Sequence, residues 1–216
     1  MKPIILIVAI LAVTSLLLVP IVTVYADTSL PMTGSQWSIL ELLGSKIKTT
    51  HATTISTGGV EFLFPVATAT PPGYANLMTN GFTASLTTID TLTAVIQVFT
   101  STSTTMFVGN PNGHCSAASP NYCPGAVRLY FTSNLPQAGM SSCLGLNGNS
   151  QHSVVANWSD LCGHYGTMDP AAFMASISNI KNLGVSFGSG FFFENGVGVD
   201  GTTGTATFQL TSYTIS

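Results

Sequence analysis

From Val60 onward the chain reads as short stretches of alternating apolar and hydroxyl-bearing residues separated by turns. Val127, Leu129 and Phe131 point one way, and Arg128, Tyr130 and Thr132 the other, the clearest alternation in the sequence and the signature of a half-buried strand. Phe82, Ala84, Leu86 and Thr88 alternate with Thr83, Ser85 and Thr87 in the same way. Val60 to Val66 is an apolar run limited by Pro65, and Pro71-Pro72-Gly73 predicts a turn. Leu92 to Phe99 is apolar on both parities and predicts a central strand covered on both faces, with Thr100 to Thr105 as a hydroxyl-rich turn or edge. Leu183, Val185 and Phe187 form another strand face. Ala206, Phe208 and Leu210 form one face of a last strand running to Ile215.

Two short helices interrupt this pattern. Asp169-Pro170 supplies an N-cap and a first-turn proline for a helix over roughly residues 171–178. Earlier, Ser38 and Glu41 fit a capping box, and Trp37, Leu40 and Leu43 fall at helical spacing. A brief helix acting as a lid over one end of the strands is expected there. Several strands with one late helix predict an all-β protein, an antiparallel β-sandwich. No repeat of roughly 20–50 residues argues for a propeller or solenoid.

The first 26 residues follow a different rule. Lys2 is the only charge before an apolar run from Ile4 to Val24, which ends in Val24-Tyr25-Ala26. Small residues at the third and last positions before a cut predict a secretory signal cleaved after Ala26. The rival reading is a retained membrane anchor, for which the run is long enough. Either way the rest of the chain is expected to be extracellular, secreted or at the cell surface. Residues 27–59 then form a Thr/Ser-rich N-terminal segment and 60–216 the sandwich, with an insertion over 112–166. About 190 residues suffice for one domain with a full core.

Charged residues make up 6% of the chain and the formal net charge is −3. Thr, Ser, Gly and Asn take the place of charges. With only Arg128 and four lysines there is no basic patch for phosphates and no basic amphipathic helix, which excludes nucleic acid and a peripheral membrane helix as partners. A neutral, hydroxyl-rich surface suits polysaccharide binders, because sugars are uncharged, and proteins that pack closely with copies of themselves.

Four cysteines in an exported chain predict two disulfides. Three pairings exist, and the local one, Cys115 with Cys123 and Cys143 with Cys162, is preferred because it closes two short loops. Each would contribute on the order of 3 kcal/mol. The Cys-x7-Cys and Cys-x18-Cys spacings match no zinc module, so His114, His152 and His164 are read as loop histidines, and no metal or other cofactor is expected.

The stretches Asp169-Pro-Ala-Ala-Phe, Asn179-Ile-Lys-Asn-Leu-Gly-Val-Ser-Phe-Gly-Ser-Gly and Gly204-Thr-Ala-Thr-Phe-Gln-Leu-Thr-Ser-Tyr resemble the closing segment of secreted jelly rolls. That group includes galactose-binding-like and other carbohydrate-binding modules found on exported surface proteins. The resemblance covers the last third of the chain and implies a jelly-roll-like sandwich and a carbohydrate partner. It carries over no ligand residue. The sequence departs from the group at Phe191-Phe192-Phe193-Glu194, inserted where a Gly-rich turn is usual.

The candidate chemistry gathers in the 112–166 insertion and on the Arg128 strand. Arg128 offers a planar fork for vicinal hydroxyls, and Tyr130 a stacking ring. A structural ion pair is the alternative for Arg128. Trp158 serves as a sugar platform if exposed and a core plug if buried. Tyr165, His164 and Glu194 complete the candidate ligand-binding set. Asn157-Trp158-Ser159 is a glycosylation sequon. Asp169 and Asp200 are accounted for by a helix cap and a turn. No nucleophile elbow is present and no matched carboxylate pair is legible, so the chain is not expected to be an enzyme.

Two function classes remain. One is a non-catalytic carbohydrate-binding surface protein. The other is a structural subunit of an extracellular filament or matrix, in which the arm 27–57 adds as a strand to a neighbouring copy.

Overall fold

The structure is a computed structural model that describes residues 27–100, 106–109, 123–124, 127–133, 145–147, 152–154, 159–160, 170–188, 196–200 and 205–216. In chain order its strands are β1 (Thr28–Ser29), β2 (Trp37–Leu43), β3 (Lys46–His51), β4 (Thr53–Thr54), β5 (Val60–Leu63), β6 (Gly73–Asn80), β7 (Thr91–Thr100) and β8 (Met106–Gly109). They continue with β9 (Cys123–Pro124), β10 (Val127–Ser133), β11 (Gly145–Asn147), β12 (His152–Val154), β13 (Ser159–Asp160), β14 (Ile180–Phe187), β15 (Val197–Asp200) and β16 (Ala206–Ile215). Among the described residues one α-helix, α1 (Pro170–Ile177), leads into β14.

These strands make two antiparallel sheets, as the alternation demands. The six-stranded sheet runs β12-β7-β16-β5-β4, with β1 beside the far half of β16. The ten-stranded sheet runs β13-β11-β10-β14-β6-β15-β8-β9, with β2 on the other side of β6 and β3 beyond β2. The inner faces meet in a dry aromatic cluster. Phe187 of β14 lies 5.1 Å from Phe208 of β16, 5.6 Å from Phe62 of β5 and 5.4 Å from Phe64, centroid to centroid. Most of these pairs are edge-to-face, the arrangement the ring quadrupoles favour, worth about 0.5–1.5 kcal/mol per pair beyond the buried area. Trp37 and Tyr213 continue the core, 6.0 Å apart and fully buried.

The last strand needs one irregularity to do this. Ala206, Phe208 and Leu210 face inward, and so do Tyr213 and Ile215, which have the opposite parity. A register shift between Leu210 and Ser212 against β7 resets the alternation. Tyr213 then reaches across the sandwich and donates its hydroxyl to the Gly184 carbonyl at 3.4 Å.

Burial raises the Tyr213 hydroxyl far above the ordinary tyrosine value of 10.0, with Tyr130 adding to the effect. Tyr74 is raised too, by burial first and by Asp200 second. In both cases the unfolded chain loses its proton before the folded one. Stability therefore falls as pH rises above about 10, by about 1.4 kcal/mol per pH unit for a fully buried tyrosine such as Tyr213. Denaturant unfolding at rising alkaline pH should show this slope, and Tyr213→Phe should flatten it.

Three expectations require correction. Residues 37–43 are not a helical lid but the strand β2, paired with β6 and β3. Trp37 and Ile39 are fully buried while Ser38 and Leu40 are only half-buried, so a period of two wins over the helical spacing. The pairing Leu43↔Lys46 leaves Gly44-Ser45 as a two-residue hairpin turn, and Gly44 takes φ 61. Second, residues 82–88 form no ladder strand. They make one isolated bridge, Ala84 to Ile180, although burial still alternates along them. Their backbone bonds go to the α1–β14 junction: the Leu86 amide donates to Ile177 and the Ile180 amide to Ala84. Third, β7 is not covered on both faces. Leu92 and Ala94 are buried, but Val95 is 47% exposed and Phe99 50%.

The segment 27–59 is woven into both sheets. β1 pairs with β16, β2 with β6 and β4 with β5.

Candidate functional site

The pairing β10 to β14 sets Leu129 opposite Val185 and, on the other face, Arg128 opposite Ser186 and Tyr130 opposite Gly184. Leu129 is fully buried, as the alternation predicts, and Val127 packs against the core while staying partly exposed. The side chain of Phe131 lies outside the described residues. Arg128 is half-buried and engaged within the chain, and burial lowers its pKa. Tyr130 is 2% exposed. A ring sealed from solvent offers no stacking surface, so Tyr130 is not itself a sugar platform. Alternation determines which face a side chain takes, and says nothing about whether that face is wet.

The other sequence-derived candidates, Trp158, Tyr165, His164 and Glu194, lie outside the described residues, as do Cys115, Cys143 and Cys162. Cys123 is placed by its backbone alone, opposite Gly109 in the β8–β9 pair. Among the described residues no three His, Cys, Asp or Glu side chains come together as a metal site. No helix among them is long and apolar enough to cross a membrane.

Two open features stand out among the described residues. The first is a cleft of about 210 Å³ lined by Ala67, Thr68, Tyr74, Val108 and Asp200. It forms where residues 65–67 cross the end of β15, held by the Ala67 amide on Val199 and the Val199 amide on Pro65. Gly198 is required there, because a Cβ would meet the Gly73 carbonyl at 2.7 Å and Ala67 at 2.8 Å. Tyr74 is only 7% exposed, so the cleft offers a carboxylate and a hydroxyl edge rather than a ring face.

The second is the outer face of the six-stranded sheet. Register places Gln97 of β7, Gln209 of β16, Glu61 of β5 and Thr53 of β4 in one row. The Gln209 amide donates to the Glu61 carboxylate at 2.9 Å, which fixes both groups. The adjacent row is Phe99, Thr207 and Leu63, and the next on the other side begins with Val95 and Ser212. Phe99 is 50% and Leu63 60% exposed. Strands about 4.8 Å apart thus present planar amide and carboxylate groups side by side, next to an exposed ring. Planar acceptors and donors read vicinal hydroxyls, and an aromatic face accepts the C–H face of a sugar.

Sequence reasoning missed this face. Its signals were odd positions in an apolar run (Gln97, Phe99) and isolated polar residues in two distant strands (Glu61, Gln209), which only strand order brings together. Compared with known protein families, with curated proteins and with solved structures, the chain finds no match, so the antiparallel sandwich stands on the structure alone.

Proposed function

We propose that the protein is an extracellular, non-catalytic β-sandwich that binds a neutral glycan on the outer face of its six-stranded sheet. The observation that carries this reading is the row of Gln97, Gln209 and Glu61, its Gln209–Glu61 pair held by a hydrogen bond, beside the exposed Phe99. The low charge of the whole chain supports it, since a neutral ligand needs no ion pair. The apolar leader ending at Ala26 supports export. Export in turn favours the disulfides Cys115–Cys123 and Cys143–Cys162, and peptide mapping without reductant should recover these two linked pairs and no free thiol.

The expected result is weak retention of the purified protein on an immobilised polysaccharide, nearly independent of salt. Phe99→Ala and Gln209→Ala should each weaken it about tenfold, or about 1.4 kcal/mol, with unchanged thermal unfolding. Binding that survives both substitutions would remove this face from the reading. Failure of a broad glycan array to retain the protein would remove the ligand class.

The rival reading, assembly through a donated arm, finds less support. It asks residues 27–57 to leave β1 to β4, and those strands already pair within the chain.

A further inference from the structure

The two sheets end in edges of opposite character. β3, outermost beside β2, carries Lys46, Lys48 and His51, and charged side chains of this kind discourage pairing with another sheet. β7 is ten residues long, yet β12 pairs only with Thr91 to Thr93. β16 occupies its other side throughout. Among the described residues no strand pairs with the remaining edge, residues 94–100. That stretch, Ala-Val-Ile-Gln-Val-Phe-Thr, holds no charge, no proline and no glycine. It is also where exposed apolar side chains gather, with Val95 at 47%, Val98 at 41% and Phe99 at 50%.

We propose that this edge pairs with the same edge of a second copy, antiparallel and centred on Gln97. An uncharged strand meets its own copy without repulsion. A two-fold axis normal to the sheet makes the contact self-complementary and closed. Centring on Gln97 sets Val95 opposite Phe99 of the second copy on the outer face, and Val98 opposite Ile96 on the inner face. Each exposed apolar residue of the edge then gains an apolar cross-strand partner, and Gln97 faces its own amide. A register shifted by two residues along the pair would instead leave Val95 or Phe99 opposite a threonine or a glutamine. The same axis keeps the outer faces on one side, so the two Gln97/Phe99 platforms become one surface. The pairing itself does not rest on the glycan reading.

A single strand pair is a small interface, so the dimer should dissociate on dilution. Light scattering on the purified protein without glycan should show a monomer–dimer equilibrium. Gln97→Lys and Gln97→Glu should each give a monomer with an unchanged circular dichroism spectrum, because like charges then meet at the axis. An equimolar mixture of the two should restore the dimer as a mixed species. Gln209→Ala, one strand in from the edge, should leave the dimer intact while weakening glycan retention, which separates the two proposals. A wild-type protein that stays monomeric at every concentration, a Gln97→Lys variant that still dimerises, or a mixture that stays monomeric overturns this inference.

Discussion

Phe187→Ala is expected to destabilise the fold by about 3–5 kcal/mol. The side chain is fully buried on the inner face of β14 and touches the rings of Phe62, Phe64 and Phe208 from the opposite sheet side. Removing it takes away the ring's transfer free energy and leaves a void bounded by three rings. Those rings sit on two strands and a linking segment, all fixed by backbone hydrogen bonds. Phe62 pairs through its strand with Phe208, and the Phe64 amide donates to Ala206 at 2.9 Å, so the walls cannot close inward. Domains of this size have a net stability of only about 5–15 kcal/mol. Thermal or denaturant unfolding of the variant should therefore show a large loss, with the same secondary structure before the transition. A loss below about 1 kcal/mol would mean that the cluster repacks freely and is not the centre of the core.

Gly184→Ala should be the most damaging single-methyl change in the described sheet. A Cβ at Gly184 would run into the backbone carbonyl of Met78 and lie 3.0 Å from the Thr79 Cα. Both atoms belong to β6, which pairs with β14 through Gly184↔Thr79 and Val185↔Met78. Backbone cannot rotate away as a flexible side chain would, so β6 and β14 must separate. That separation breaks a ladder at the centre of the ten-stranded sheet and disturbs the carbonyl that accepts from Tyr213. The expected loss is about 3 kcal/mol, the upper range for overpacking. Gly81→Ala is the control. A Cβ there meets nothing within 4 Å, and the stability should be unchanged or slightly higher, by up to about 1 kcal/mol, because the unfolded chain loses freedom. Equal effects at the two positions would show that glycine freedom, not strand contact, decides them.

The loss at Gly184 also bears on Tyr130. The glycine is the register partner of a large aromatic that is only 2% exposed. The Arg128/Tyr130 strand was the clearest in the sequence, yet the aromatic on its outward side is buried. The face that is open belongs to strands whose polar positions look unremarkable one at a time.

By itself the sequence determined the strand class and most of the inward faces. Leu129, Val185, Phe187, Phe208 and Leu210 were legible because the side-chain period of an extended chain is two, whatever its neighbours are. The start of α1 was legible because a proline preset for the first helical turn acts locally. Only the tertiary structure decided the rest. It made β2 a strand, because pairing with β6 on one side and β3 on the other outweighs a local capping pattern and a coincidental helical spacing. It left residues 82–88 without a ladder, because their bonds are taken by the α1–β14 junction. It reset the parity of β16 at Thr211, so that Tyr213 joins Phe208 inside. And it brought Glu61, Gln97 and Gln209 into one row, because strand order joins residues far apart in the chain, and no local pattern carries that order.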